Sequence, residues 1–373
     1  MKRRIAYVYT GLNELGGPNN HLKKLYHAMD KERYEVFLVF CSAIKYELES
    51  IMLSSGIKEE HLFVIQNIHK KRIFPLIWKL KKYFQEKNID IVHTFHIQSD
   101  IFGGIAAKLA GIKKVYAFFE SKIIQESMSV VKIVFYKILN VFIRNIFRKT
   151  IVVSNEIKKE LINMNFRNKG SIEVVHVGID VPKDHLERKY ELSGLYIKVP
   201  RIGTIARFSK EKALDRIVSI VPRIINEYPK ARFVFIGDGP ERKYLENLVK
   251  VLKVEAYVEF KGWVDNIYEE LEDIDIFLLS SQREGCPNAL LEAMLLKRAV
   301  VASNIEGVNE VIDHGVNGLL VNTGDADFFA KEVLFLCSNP EKAAQYGEEA
   351  YKRVLENFTI EKEVKALEII YSE

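Results

Sequence analysis

Short apolar runs alternate with helical patterns along most of the chain, and this alternation constrains the fold more than any other feature. Ile5–Tyr9, Tyr34–Cys41, Asp90–Thr94, Lys113–Phe118 and Lys149–Ser154 read as strands with helical spacing between them. Strands linked through helices form a parallel sheet with both faces covered. A second series follows. It holds strands Arg201–Ala206, Arg232–Ile236, Tyr257–Phe260, Ile274–Leu279 and Ala299–Ser303, with helices Ala213–Glu227 and Glu241–Leu252 among them. Between the series, Val181–Val199 carries Pro182 and a charged run from Lys183 to Glu191, and Pro200 follows it. Such a stretch reads as a linker. At 373 residues the chain is also too long for one ordinary core. The expected architecture is α/β, with two doubly wound, Rossmann-like domains over residues 1–182 and 200–356. Ala326–Cys337, Glu341–Asn357 and Thr359–Tyr371 read as closing helices, and 357–373 is set apart as a C-terminal segment.

Composition narrows the partners. Net charge is +5, and Lys and Arg are spread out rather than massed with aromatics. That excludes a nucleic-acid binder and suits phosphate-bearing substrates or an anionic membrane surface. The three cysteines, Cys41, Cys286 and Cys337, show neither zinc spacing nor a disulfide framework. This predicts a reducing cytoplasmic setting, with the inner face of the membrane as the alternative. No apolar run reaches transmembrane length. The apolar run after Met1-Lys2-Arg3-Arg4 ends at Thr10-Gly11 without a cleavage signal, so it reads as a first strand.

The densest chemistry lies between Ser280 and Glu310. The apolar run ending at Leu279 is followed by Arg283-Glu284-Gly285-Cys286-Pro287-Asn288-Ala289-Leu290-Leu291-Glu292, and then by helical spacing. Strand, Gly/Pro turn and helix predict a helix start with Pro287 in its first turn, where a missing N–H costs nothing. A helix start offers free amides to an anion. Glu284 before it and Glu292 within it are acceptors for hydroxyls. Together these suit a ligand that alternates sugar, diphosphate and ribose. Taken singly, each glutamate reads more readily as a solvated loop or helix residue.

Other loops point the same way. Arg207 and Lys212 follow strand Arg201–Ala206, with Lys210 between them as a further cation. An arginine forks onto phosphate oxygens and a lysine adds a point charge. Gly237-Asp238-Gly239 follows another strand, but Arg242 stands where a dinucleotide fingerprint needs its third glycine. Gly16 and Gly17 lie between the first strand and a helix expected over Asn19–Met29, an order that lets backbone approach a phosphate or sugar. His93, His96, Phe119, Glu120 and Ser154 fall at strand ends, and His96 reads equally as a substrate contact or a packing residue. Asp273-Ile274-Asp275 opens a strand rather than ending one, so no metal site is expected.

The string around Glu284 and Glu292 resembles the signature of the family 4 retaining glycosyltransferases, whose fold is GT-B: two Rossmann-like domains facing a cleft. Gly307 and Glu310 match the family's later Gly and Glu. The resemblance covers nearly the whole chain and is strongest from Arg201 to Asp325. It implies that Arg207 and Lys212 grip the donor diphosphate, and that Glu284 holds the transferred sugar and Glu292 the ribose. It further implies that Gly285, Cys286, Pro287, Asn288, Ala289 and Leu290 border the nucleotide sugar. Gly237 and Val264, the latter in Lys261-Gly262-Trp263-Val264, would lie beside the nucleotide, and Gly16 and Gly17 would match a Gly-Gly pair. It implies a last helix crossing back to the first, acceptor-binding domain. The reaction implied is retaining transfer from a nucleotide diphosphate sugar to a glycan or lipid-linked acceptor, with no cofactor or metal. Many members carry a histidine where this chain has Phe118-Phe119-Glu120-Ser121. A nucleotide-sugar epimerase or hydrolase of the same fold and a non-catalytic sugar or lipid binder are the alternatives.

One further stretch bears on localisation. Over 130–147 at helical spacing, Val131, Phe135, Ile138, Leu139, Phe142, Ile143 and Ile146 share a face opposite Lys137, Asn140, Arg144 and Arg148. Apolar bulk with a basic rim fits a membrane-surface helix, although most amphipathic helices pack on their own domain.

Overall fold

A computed structural model describes residues 2–12, 17–42, 45–66, 73–120, 144–165, 169–182 and 199–373. The chain divides into two compact units. The first comprises residues 1–178 with 360–373, and the second residues 179–359.

The first unit is built on a seven-stranded sheet: β1 Arg3–Leu12, β2 Tyr34–Ser42, β3 Leu62–Gln66, β4 Ile91–Phe95, β5 Lys114–Phe119, β6 Lys149–Val152 and β7 Ile172–Val174. Every pairing is parallel, in the order β3-β2-β1-β4-β5-β6-β7. The order reverses between β1 and β4, the switch point at which doubly wound sheets place ligands. β4 is buried along its whole length, as a strand covered on both faces must be.

The second unit carries β8 Arg201–Ile205, β9 Arg232–Ile236, β10 Val258–Gly262, β11 Ile276–Leu279, β12 Ala299–Ser303 and β13 Leu319–Val321, ordered β10-β9-β8-β11-β12-β13 and again all parallel. Its switch point falls between β8 and β11. Alternate residues of the central strands feed two separate cores: Ile276 and Leu278 pack with Phe233 and Phe235, while Phe277 and Leu279 pack with Leu290, Met294 and Leu296. A period of two along the strands thus builds both helical layers.

Helix Ile360–Ser372 packs within the first unit. Its Tyr371 is buried and meets His93, with Nδ1 2.5 Å from the tyrosine oxygen. His93 therefore sits mid-strand in the core rather than at a strand end. Burial depresses its pKa to about 3, so it stays neutral. The first helix runs Gly17–Ala28, two residues earlier than its apolar pattern implies. Of the stretch 130–147 read as a membrane-surface helix, 130–143 lie outside the described residues. Its end is a 3-10 turn, Arg144–Ile146, followed by a buried Phe147 that packs at Gly104.

His21 ties three elements of this unit together. Its Nδ1 donates to Glu120 at 2.8 Å and its Nε2 to Glu363 at 2.7 Å, while the other Glu363 oxygen accepts from the Gly178 amide at 2.7 Å. Burial disfavours the imidazolium, but the charge of Glu363 and the hydrogen bonds to both carboxylates outweigh it. The pKa is raised to about 10. A folded-state pKa above the unfolded value of about 6.5 stabilises fully below the latter and is lost as pH climbs toward the former. Replacing His21 by Ala strands a buried carboxylate and is expected to cost roughly 3–5 kcal/mol at pH 7. The gap between wild type and variant should narrow between pH 7 and 10, as read by urea unfolding across that range.

Candidate functional site

The loops at the carboxyl ends of β8, β9, β10 and β11 share one edge of the six-stranded sheet. At the switch point the loops after β8 and β11 are joined by their backbones. The Gln282 amide donates to the Glu211 carbonyl at 2.8 Å, and Ser280 Oγ donates to the Lys212 carbonyl at 2.8 Å. Arg216 reaches the Ser280 carbonyl at 3.3 Å from the helix Leu214–Glu227. This joint sets Lys212 Nζ 2.7 Å from Glu284 Oε1, which also accepts from Ser281 Oγ at 2.6 Å. Both partners of the ion pair are largely shielded, so their attraction is weakly screened. Arg207 lies on the same loop with its side chain exposed, and Lys210 is exposed as well.

The loop beyond Glu284 depends on a distant glycine. Gly307 has φ +81°, and a Cβ built there would stand 2.4 Å from the Gly285 carbonyl oxygen and 2.7 Å from that of Glu284. Only glycine lets the two backbones approach so closely. The chain then enters helix Asn288–Leu295, with Pro287 as the residue before its first turn. Pro287 is thus the N-cap, one step earlier than the sequence suggests, and its carbonyl accepts from the Leu290 amide at 3.0 Å. The amides of Asn288 and Ala289 precede that first intrahelical bond and point ahead of the helix. The Asn288 Oδ1 is buried and takes no hydrogen bond from the described residues. Cys286 and Ala289 pack against the core beneath, and Pro287 and Leu290 are buried. Glu292, in the helix's second turn, is only 7% exposed, which rules out a solvated helix face.

The neighbouring turn after β9 is equally constrained. Gly237 has φ +122° and donates to the Gly262 carbonyl at 2.7 Å. A Cβ there would lie 2.0 Å from the Ala206 carbonyl oxygen, so this glycine lets the β9 turn press on the loop that bears Arg207. Arg242 is held by Asp238 at 3.0 Å and Glu246 at 2.8 Å. Val264 is half-buried in the loop after β10.

Residues 15–183 match the family described as Glycosyltransferase Family 4, and residues 191–353 that described as Glycosyl transferases group 1. The chain is a family 4 glycosyltransferase. The enzyme is 27% identical over 320 residues to the UDP-Gal:alpha-D-GlcNAc-diphosphoundecaprenol alpha-1,3-galactosyltransferase of Escherichia coli, covering 82% of this chain and 81% of that one. It is 36% identical over 167 residues to the N-acetyl-alpha-D-glucosaminyl L-malate synthase of Bacillus anthracis, a match spanning 45% of this chain and 44% of that relative. Among solved structures, Anabaena HepE in complex with UDP superposes with a TM-score of 0.83 at 18% identity, covering 100% of both chains. The fold of the enzyme is therefore GT-B.

In the glycosyltransferase, Arg207, Lys212, Gly237, Val264, Gly285 to Leu290 and Glu292 all belong to the second unit, on the carboxyl edge of its sheet or in the helix leaving it. Gly17 and His96 belong to the first unit. Gly17 opens the first helix, while Gly16 lies outside the described residues. His96 follows β4 with φ +80°, a strained value for a residue with a side chain, and it is exposed beside Tyr9. Asp275 is fixed at the opposite, amino edge of its sheet, where its carboxylate accepts from the Arg201 amide at 2.8 Å. Among the described residues no cluster of three His, Cys, Asp or Glu has metal-holding geometry. Sequence reading missed Ser281, Glu211 and Arg216, whose types carry no signal on their own. It also assigned Lys212 and Glu284 to different parts of the donor without the ion pair that joins them.

Gly307→Ala and Gly324→Ala separate backbone strain from loop displacement. Both positions have positive φ, but nothing lies within 4 Å of a Cβ at Gly324. Gly324→Ala is expected to cost roughly 1–2 kcal/mol of stability, and Gly307→Ala more, because its Cβ must also displace the Glu284 and Gly285 carbonyls. Only Gly307→Ala should also reduce transferase activity, by tenfold or more on the order of one displaced donor. Thermal unfolding and activity measured on both variants check this.

Proposed function

We propose that this glycosyltransferase moves a sugar, with retention at the anomeric carbon, from a nucleoside diphosphate sugar to a hydroxyl of a glycan or lipid-linked acceptor. A UDP-sugar is the donor that the solved relatives favour, since HepE is held with UDP and with UDP-glucose. The Escherichia coli relative, by its name, acts on a diphosphoundecaprenol-linked sugar, which supports a lipid-linked acceptor met at a membrane face. The observation that carries the reading is the Lys212–Glu284 pair standing immediately before the free amides of helix Asn288–Leu295.

Charge dictates the roles. Breaking the bond between the anomeric carbon and the phosphate oxygen leaves a cationic sugar and a doubly charged diphosphate end. Arg207 and the amides of Asn288 and Ala289 stabilise that growing negative charge. Lys212 adds to the same field while holding Glu284 in one position. Glu284, accepting on its free lone pairs, takes hydroxyls of the transferred sugar, and Glu292 takes those of the ribose. The acceptor oxygen bonds to the anomeric carbon from the face that the phosphate leaves, and its proton passes to the departing phosphate oxygen. No protein carboxylate becomes covalently attached, so the bonds formed and broken balance without a double displacement. Fixed cations and helix amides offset the diphosphate charge without a metal.

Glu284→Gln and Arg207→Ala should fail differently. Glu284→Gln is expected to lower turnover and to leave UDP affinity within a few-fold, whereas loss of the Arg207 donor should cost roughly 10²–10³ in rate. Arg207→Ala should lower both. Calorimetry with UDP, which has the diphosphate but no sugar, reads the difference, and equal loss of UDP affinity in both variants contradicts the assignment. Turnover should also persist in excess EDTA. Loss with chelator and recovery with Mg²⁺ or Mn²⁺ contradicts the metal-independent reading.

A further inference from the structure

Helix Ile73–Glu86 presents an outer face that packing within its unit does not cover. Phe74 is 77% exposed and Trp78 is 60% exposed, although Leu76, Ile77, Leu80, Tyr83 and Phe84 on the same helix are buried. The two aromatics are four residues apart and so lie one above the other. Single exposed hydrophobics are ordinary, but two large aromatics on one helical face, with lysines grouped around Trp78, are not. Lys79 and Lys82 are exposed beside them, and Lys81 Nζ lies 4.4 Å from the centre of the Trp78 ring. Trp78 and these three lysines, with Gln85, line one shallow groove of about 350 Å³. Glu86 is the helix's sole acidic residue, and Lys82 approaches it at 3.5 Å.

We propose that this face of helix Ile73–Glu86 docks the enzyme on an anionic lipid bilayer, with Phe74 and Trp78 entering the interface and Lys79, Lys81 and Lys82 meeting lipid phosphates. Charge complementarity selects this occupant. A bilayer surface offers a continuous sheet of phosphates above an apolar layer, which matches a row of cations flanking two protruding aromatics. Tryptophan is favoured at that boundary because its ring is apolar and its N–H is polar. A protein partner would need a shaped pocket for the rings, whereas the groove beside them is shallow and itself belongs to the lysine rim. The docking surface does not depend on which acceptor the enzyme uses, nor on the stretch 130–147.

The test is vesicle flotation of the full chain with phosphatidylcholine alone and with phosphatidylcholine containing 30 mol% phosphatidylglycerol, chosen to be about a third anionic. Wild type is expected to float with the anionic vesicles, more weakly as salt is raised and weakly or not at all with the neutral ones. Each lysine changed to Gln should weaken binding roughly fivefold, so the Lys79→Gln, Lys81→Gln, Lys82→Gln variant should lose about a hundredfold. Phe74→Ser with Trp78→Ser should abolish flotation without moving the thermal transition, because both side chains are exposed. Trp78 and Trp263 are the two tryptophans of the chain. In Trp263→Phe the remaining emission reports Trp78 alone, and it should shift to the blue and be quenched by brominated lipid. Unmoved Trp78 emission, or flotation undiminished in the aromatic variant, overturns the proposal and leaves the face to a protein partner or another segment. Unchanged UDP affinity in a chain that does not float separates this failure from failure of the proposed reaction.

Discussion

Everything in the candidate site hangs on the contact between Lys212 and Glu284. A carboxylate that is 10% exposed needs its charge answered, and Lys212 and Ser281 answer it on one oxygen. The two partners come from loops on adjacent strands, so the pair can form only where β8 and β11 lie side by side. That adjacency is the switch point of the sheet. The fold therefore sets the charge pair, and the pair in turn fixes the direction in which the chain enters helix Asn288–Leu295. Gly307 completes the arrangement by leaving room for the Glu284 and Gly285 carbonyls.

Much of the fold was legible in the sequence because the central strands are short, largely apolar runs separated by stretches of helical spacing. The switch from strand to helix after Leu279 was visible in the same way. The short edge strands were not. β7 and β13 span three residues each, too few for any periodicity, and β3, Leu62–Gln66, follows a charged turn with no glycine or proline to mark it. They are held by pairing with a neighbour, which local sequence does not encode.

The site was legible by residue type and illegible by contact. Arg207, Glu284 and Glu292 stood out by type and spacing as candidate phosphate and hydroxyl ligands. What each one touches depended on partners far away in sequence. Lys212 and Glu284 are 72 residues apart, and His21 and Glu363 are 342 apart. His93 misled for a similar reason. Its position near a strand end suggested a ligand contact, whereas Tyr371 from the last helix seals it into the core. The exposed row of Phe74 and Trp78 was hidden too, since an amphipathic pattern does not say which of its apolar residues the fold leaves outside.

We propose that the diphosphate of the donor sits between Arg207 and the start of helix Asn288–Leu295, with Lys212 still bound to Glu284. A structure of the enzyme with UDP bound tests this most directly. Phosphate oxygens are expected within hydrogen-bonding distance of the Arg207 guanidinium and of the Asn288 and Ala289 amides, and ribose hydroxyls at Glu292. Diphosphate bound away from that helix start, or a Glu284 carboxylate that abandons Lys212 when UDP enters, would contradict it.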